Sequence, residues 1–399
     1  MHHVLEEDGH HVLEKDSRFT KNFRVSNIKC PRFEELNHES SFAEQGYSLK
    51  QRCLSLFIWR PTNNLGRSAD QVELRTDAFT RMHNLKLLQL NNVEIIGRYT
   101  DFPGGLRCLT WHGFPLTSIP AEFSLKRLVG LDLRYSKLEQ VWKGEMFLTS
   151  VKILNLSHSH GLKNTPKFTG LPNLEKLVLK YCISLIEVHE SIGELDNLVL
   201  LNLRGCKNLK KLPCEIGHLT SLEKLILSGC SKLDQLPAEL GQMKSLTVLH
   251  ADGISQDICK DGSWTSLVWS LVLKPRKSPK TLPSLPGSLV ELSLSNCSLS
   301  SDDLAKCLGS FSVLKDLNLS ENPISSLPES IKGLAVLQSL KLNYCTRLQS
   351  LPELPMTLKR LELSDCISLE RITNLPNLLA SFDFDMNDCK VVEVRGCSS

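Results

Sequence analysis

The most regular feature of the sequence is a six-residue pattern, LxxLxL, that returns along most of the chain. Its first position falls at Leu85, Leu106, Leu128, Val151, Leu174, Leu198, Leu222, Leu246, Leu289, Leu314, Leu337 and Leu358. Successive starts lie 21 to 25 residues apart, except for a single step of 43 residues after Leu246. In Leu201-Asn202-Leu203, alternate residues of a short strand face opposite sides, so the two leucines enter a core and Asn202 points outward. The pattern predicts about twelve short strands, one in each turn of a repeating coil.

A second column of residues falls eight positions after the first leucine of a unit. It holds Cys182, Cys206, Cys230, Cys297, Cys345 and Cys366, and Asn322 in one unit. The leucine-rich repeat has an asparagine or cysteine here, where a small buried side chain bonds backbone groups at the exit of the strand. We therefore interpret these six cysteines as buried thiols and not as disulfide partners. Prolines such as Pro213 and Pro237 follow the column, and they suit extended or 3₁₀ backbone because proline has no amide donor.

These features predict an α/β fold of the leucine-rich-repeat solenoid type. We expect a curved horseshoe, with parallel strands on its concave face and short 3₁₀, extended or helical segments on its convex face. A single repeat buries too little leucine to offset the entropy of ordering its chain. A stack of repeats folds because each coil buries its leucines against its neighbours.

The repeats divide the chain into four regions. These are a polar segment at residues 1–45, a cap or linker at 46–84, the repeats at 85–380 and a tail at 381–399. An off-pattern insertion near residues 252–288 contains Trp264 and Trp269, followed by a basic stretch. We interpret it either as a surface insertion or degenerate repeat, or as a contact loop, since tryptophan favours interface hot spots.

Composition and charge narrow the range of functions. The 399 residues include 74 leucines, and 47 basic against 44 acidic residues give a net charge of +3. This balance argues against a protein that binds nucleic acid by neutralising phosphates. No apolar run approaches about 18 residues and the start carries no signal-peptide pattern, so we expect no membrane span and a cytoplasmic or nuclear location.

No pattern of catalytic or metal-binding residues stands out. The sequence contains no phosphate-binding loop, no HExxH and no GxSxG. Four histidines near the start, His2, His3, His10 and His11, fit solvated side chains better than metal ligands. We therefore predict a non-enzyme with no catalytic residue, no cofactor and no metal site.

The outward positions of the strands line the expected concave face, and their charges are unevenly distributed. The candidate partner-binding residues are Arg134, Lys176, Lys180, Arg204, Lys224 and His250. The later repeats turn acidic, with Glu291, Asp316, Glu321, Glu362 and Asp365. Our hypothesis is that the basic N-terminal half of this face meets an acidic partner or an acidic surface of the same protein. The alternative is that these charges only keep the face soluble.

The residues that fill the repeats point to a more specific family than the spacing of the leucines does. The segments that do so are AFTRMHNLKLLQL (78–90), FPGGLRCLTWHGFPLTSIP (102–120), LVGLDLRYSKLEQVWKG (128–144), VKILNLSHSHGLKNTPKFTGLPNLEKLVLKYC (151–182), LEKLILSGCSKLDQLPAELGQMKSL (222–246) and SLPELPMTLKRLELSDCISLE (350–370). Over about residues 46–395 the chain resembles plant intracellular disease-resistance receptors, the nucleotide-binding leucine-rich-repeat proteins with a Toll/interleukin-1-receptor domain. The start, MHHVLEED, resembles the MHD segment that ends their nucleotide-binding module, with His3 in place of the usual Asp. We assign no nucleotide site there.

The resemblance implies a role in plant defence. In such receptors the repeats hold the nucleotide-binding module inactive, and a pathogen effector or a guarded host protein relieves that restraint. The sequence has neither the phosphate loop nor the Toll-type domain, so the resemblance implies recognition or autoinhibitory contacts without signalling chemistry. The expected partner is a protein: an effector, a guarded host protein or the receptor's own nucleotide-binding module.

Two other binding functions remain open at this point. An extracellular leucine-rich-repeat ectodomain is nominally favoured by glycosylation sequons at Asn155, Asn296 and Asn318, but two of these lie in the middle of a predicted strand. The missing signal peptide and missing paired-cysteine caps also count against it. A substrate adaptor of a ubiquitin ligase would need an F-box-like helical segment, and residues 1–45 are too polar to supply one.

Overall fold

The computed structural model describes most of the repeat region. It covers residues 73–254 and 286–373, apart from short gaps at 80–81, 83, 234–235, 302–303, 306–307 and 309–310, together with four short strands outside these ranges. Trp264 and Trp269, the contact loop predicted from sequence, lie outside the described residues, as do the four histidines near the start.

Short strands make up most of the regular structure. In chain order they are β1 (Phe23–Val25), β2 (Leu54–Trp59), β3 (Glu73–Arg75), β4 (Leu85–Asn91), β5 (Glu94–Ile96), β6 (Cys108–His112), β7 (Gly130–Asp132), β8 (Ile153–Asn155), β9 (Lys176–Val178), β10 (Leu200–Asn202), β11 (Lys224–Ile226), β12 (Val248–His250), β13 (Glu291–Ser293), β14 (Asp316–Asn318), β15 (Ser339–Lys341), β16 (Ser350–Leu351), β17 (Arg360–Glu362), β18 (Arg371–Thr373), β19 (Asp383–Asp385) and β20 (Glu393–Arg395).

Fifteen of these strands form one sheet, in the order β1-β2-β4-β6-β7-β8-β9-β10-β11-β12-β13-β14-β15-β17-β19. Strands β1 and β2 pair antiparallel, and every later pair in this sheet is parallel. Each of the twelve LxxLxL units contributes one strand, which confirms the predicted solenoid of stacked coils. The ladder also continues in the two flanking regions, because β2 pairs with β4 and β19 pairs with β17.

The core is a continuous column of leucines. In β10, Leu201 lies between Leu177 of β9 and Leu225 of β11 in matching register, and all three side chains are fully buried. Leu203 is buried as well, so both leucines of the LNL segment enter the core as predicted. Burying one such side chain is worth about 1.5–3 kcal/mol, and the parallel register repeats that contribution in each coil.

The side of the coils away from the main sheet consists of 3₁₀ helices and extended segments. The 3₁₀ helices are Thr76–Phe79, Tyr99–Asp101, Glu190–Glu194, Cys214–His218, Ala238–Gln242 and Glu329–Gly333. Pro213, Pro237 and Pro328 directly precede three of them, which confirms the role predicted for these prolines. Two smaller sheets complete the pattern, β16-β18-β20 and β3-β5. Among the helices of the described ranges, none has the length and apolar character needed to span a bilayer.

The cysteine and asparagine column is buried and bonded as the sequence predicts. Cys206 Sγ donates to the carbonyl oxygen of Leu179 at 3.1 Å, and the other five cysteines make the equivalent bond to the coil before them. All six are free thiols. Burial raises the pKa of Cys182 and of Cys230 to about 12, so these thiols stay protonated at neutral pH.

Asn322 forms more hydrogen bonds at this position than a cysteine does. Its amide nitrogen donates to the carbonyl oxygens of Leu294, Leu319 and Ser320, at 2.9, 2.8 and 3.2 Å. Its carbonyl oxygen accepts from the backbone amides of Cys297 and Leu299, at 3.1 and 3.0 Å. One buried side chain therefore satisfies backbone groups of two successive coils.

Candidate interaction surface

The outer side of the main sheet presents three columns of side chains to solvent, and we call it the sheet face. The backbone amides on either side of Lys180, those of Leu179 and Tyr181, donate to the carbonyl oxygens of Asn202 and Arg204 in the next coil. The intervening residue, Lys180, therefore keeps its side chain on the surface. The buried leucines fix the position of the backbone. The outward side chains therefore form a regular grid on the sheet face, with one row for each coil.

Four of the predicted cations are brought together on this grid, and we call them the basic patch: Lys176, Lys180, Arg204 and Lys224. Lys176 and Lys224 lie on either side of Leu200 in the same register, one strand away on each flank. Lys180 and Arg204 occupy equivalent positions just past the ends of β9 and β10. Within the described part of the chain, none of the four forms an ion pair with a carboxylate.

The centre of the basic patch is aliphatic. Val178 and Ile226 are half-buried in the row between the cations, on either side of the buried Asn202, and Leu200 is 9% exposed between Lys176 and Lys224. A largely apolar centre with a charged rim is an arrangement in which protein interfaces concentrate their binding energy.

Arg134, the first predicted cation, is engaged within the molecule. Its guanidinium donates to both carboxylate oxygens of Asp132, with nitrogen–oxygen distances of 3.0 to 3.1 Å. Burial acts to raise the pKa of Asp132, but the contact with His112 and the charge of Arg134 outweigh burial and hold that pKa below its usual value. The positive charge of Arg134 is thus largely offset by Asp132 of its own coil, and Arg134 is not part of the basic patch.

His250 is also engaged, at the boundary between the basic and acidic halves of the sheet face. Its Nε2 lies 2.7 Å from Oε1 of Glu291 in the next strand. Glu291 stands beside Asp316 in register, and burial together with the charge of Glu291 raises the pKa of Asp316. Further along, Glu362 binds Lys341 and Arg360 at 3.1 and 3.0 Å. The acidic half is therefore internally paired in places, whereas the basic patch is not.

Asn202 points away from the core as predicted, but its side chain is not exposed to solvent. The residue lies on the outer side of β10, but its side chain is 5% exposed. Its Oδ1 accepts from the backbone amide of Arg204 at 3.1 Å, an amide that the next coil does not use. Asn155 and Asn318 make the same bond to Ser157 and Ser320. This local bond holds the asparagine side chain against the backbone.

Sequence reasoning missed a further column, seven positions after the first leucine of each unit. All twelve residues there have positive φ: Asn92, Gly113, Tyr135, His158, Tyr181, Gly205, Gly229, Gly253, Asn296, Glu321, Tyr344 and Asp365. Three successive members carry rings, and we call Tyr135, His158 and Tyr181 the aromatic ridge. The repeated glycines and asparagines at this position are a signal that was visible in the sequence, because these residue types tolerate left-handed backbone.

The fold and this surface define a class: a leucine-rich-repeat solenoid that presents a patterned sheet face for binding. Comparison with known proteins supports this assignment to the leucine-rich-repeat class. A family model described as disease resistance protein RPS4B-like, leucine-rich repeats, matches residues 168–390. The chain belongs to this family, and it is a leucine-rich-repeat recognition region of the kind found in plant disease resistance proteins.

Individual relatives extend the likeness beyond that range. Disease resistance protein RML1B of Arabidopsis thaliana is 34% identical over 393 residues, which is 96% of this chain and 34% of the relative. TMV resistance protein N of Nicotiana glutinosa is 33% identical over 365 residues, covering 72% of this chain and 32% of the relative. The chain therefore spans about a third of the length of these relatives.

A solved structure is similar as well. The leucine-rich repeat domain of the type III effector XCV3220 (XopL) is 26% identical, with a TM-score of 0.40, covering 49% of this chain and 71% of that one.

Proposed function

We propose that this chain acts by binding and not by catalysis, and that the basic patch is where an acidic surface of a partner protein docks. The observation that carries the proposal is the set of four cations, unpaired among the described residues, around an aliphatic centre. Unpaired charges remain available to an opposite charge, and the half-buried Val178 and Ile226 supply the apolar contact that a salt-sensitive encounter needs to become stable.

Three partners fit the family resemblance: a pathogen effector, a guarded host protein, and the nucleotide-binding module of the receptor to which such repeats belong. The names of the relatives, disease resistance and virus resistance proteins, support a role in defence. We propose a location in the cytoplasm or the nucleus, where such receptors meet these partners. No nucleic-acid partner is proposed, because the net charge of +3 on 399 residues is small.

The direct test is reversal of three patch charges, Lys176→Glu, Arg204→Glu and Lys224→Glu together, in the receptor that carries this region. If the patch holds the nucleotide-binding module, we expect defence signalling without a pathogen. If it holds an external partner, we expect loss of recognition and at least about tenfold weaker co-purification of that partner.

The control changes the same charge on the other side of the coils. Lys163, Lys210 and Lys211 are exposed and lie away from the main sheet, so their reversal to Glu alters net charge equally without touching the patch. Both triple variants should show the same thermal unfolding. Normal signalling and normal partner binding by the patch variant would refute the proposal.

A further inference from the structure

The aromatic ridge is an exposed feature of the described coils that the basic patch does not account for. The rings of Tyr135 and His158 stack with centroids 4.6 Å apart, and those of His158 and Tyr181 with centroids 4.9 Å apart. These spacings match the distance between neighbouring strands, so the rings stack because successive coils place them one strand spacing apart. Tyr135 is nevertheless 56% exposed, and the ridge stands on the surface at the exit edge of the strands.

Each ring is held there at a cost in backbone strain. Tyr135, His158 and Tyr181 have φ angles of 61°, 61° and 56°, a region that is unfavourable for bulky side chains. Stacking recovers part of that cost. Glycine or asparagine, which the same column uses in other coils, would fold these coils with less strain.

The residues that flank the ridge are basic or neutral, and the charge of one of them, Arg134, is offset by Asp132. On the sheet-face side of the ridge lie Arg134, Ser157, Lys180 and Arg204, and on its other side lie Lys137, His160, Ile183 and Lys207. These flanking positions carry no carboxylate. Tyr344 stands in the same column, equally exposed at 56%, but its column neighbours are Glu321 and Asp365. The charge around the ridge is thus specific to these coils and is not a property of the column.

We propose that the aromatic ridge, with Lys180 and Arg204 beside it, binds an extended acidic segment of a partner protein that places an aromatic side chain against the rings. This inference rests on the proposed function and adds the chemistry of the partner. Carboxylates of the segment pair with Lys180 and Arg204, and its aromatic ring packs edge-to-face against the exposed parts of the rings. The three rings span two strand spacings, about 10 Å, which about three extended residues cover.

The test uses the full chain and a fluorescein-labelled peptide, Glu-Asp-Glu-Tyr-Glu-Asp-Glu, with binding followed by fluorescence anisotropy. The double variant Tyr135→Asn, Tyr181→Asn removes two rings, and asparagine is compatible with the backbone because Asn92 and Asn296 occupy the same column at positive φ. We expect affinity for the peptide to fall at least about tenfold. Tyr344→Asn is the matched control, and we expect it to stay within about twofold of the parent chain.

A peptide with lysine in place of every acidic residue should not bind. Added salt should weaken the binding of the acidic peptide, because salt screens the charge pairs. No measurable binding of the acidic peptide, equal affinity of the double variant and the parent chain, or equal loss in Tyr344→Asn would each overturn the inference. Its failure is separable from failure of the proposed function: the patch variant would then still lose its partner while the ridge variant keeps it.

Discussion

At the scale of single residues, the charges that this surface offers to a partner depend on which side chains already form ion pairs within the molecule. Arg134 and Lys180 occupy equivalent positions in their coils, yet only Arg134 has an acidic residue, Asp132, two positions earlier. Asp132 uses one oxygen to cap the backbone amide of Arg134 at 3.2 Å as well as binding its guanidinium. In the coil of Lys180 the corresponding residue is Val178, so the lysine remains available for a partner.

The engaged carboxylate of Asp132 predicts a pH dependence. Its pKa is lowered in the folded state, so its contribution to stability is fully present above its unfolded pKa of about 3.9 and is lost as the pH falls through the folded value. We expect Asp132→Asn to cost about 1.5 kcal/mol at pH 7, because the asparagine keeps the backbone cap but loses the ion pair.

The measurement is urea unfolding of both chains at several pH values. The difference in the free energy of unfolding should shrink below pH 4 and vanish in strong acid, where Asp132 is protonated. A difference that stays constant with pH would show that Asp132 contributes only through packing and neutral hydrogen bonds.

At the scale of elements, the strand and its exit turn form the unit that repeats. The LxxLxL pattern and the cysteine column predicted the strands, their parallel order and the buried thiols, because both depend only on spacing along the chain. The burial of Asn202 and the pairing of Arg134 were not predictable in this way. The burial of Asn202 depends on which backbone amide the adjacent coil leaves unused, and the pairing of Arg134 depends on the side-chain geometry of Asp132 in the same coil; spacing along the chain specifies neither.

The exit turn provides a test of the aromatic ridge as part of the structure. Gly205 has a φ of 73°, and a Cβ there would overlap the ring of Tyr181, lying 2.7 Å from its Cε1 and in closer contact with its Cδ1. Gly229 has a φ of 79°, but a Cβ there would meet only backbone of Gly205, at 3.5 Å. We expect Gly205→Ala to cost about 2–3 kcal/mol and Gly229→Ala about 1–2 kcal/mol.

Chemical unfolding of the two variants gives the difference between them. In a Tyr181→Asn background the additional cost of Gly205→Ala should disappear, since the ring that must move is gone. If the two glycine variants lose equal stability in the parent chain, the ring of Tyr181 moves aside freely and its stack on His158 contributes little.

At the scale of the whole molecule, stability comes from a core that is shared between coils. A defect in one coil therefore weakens the coils on both sides of it. Leu201 is fully buried between the leucines of β9 and β11, whereas the adjacent Asn202 lies on the outer side of the same strand. The two positions allow one charge to be placed on either side of a single strand.

We expect Leu201→Asp to cost more than about 4 kcal/mol and to open several coils, because it places an unpaired carboxylate in the core. Asn202→Asp should cost less than about 1 kcal/mol. Its carboxylate keeps the bond to the amide of Arg204, as Asp132 does for Arg134, and it lies next to the cations of the basic patch. Hydrogen exchange would locate the opened coils, and equal protection in the two variants would contradict the assignment of inner and outer sides.

The separation of inward leucines from outward polar residues has a consequence for how such a surface changes over time. Most outward side chains rest on a backbone that the interior already holds in place, so one can be exchanged for another with little effect on folding. The positions that cap a neighbouring amide, such as Asn202, are the exception. Natural variation can therefore change the side chains on the sheet face one residue at a time, while the fold that displays them stays the same.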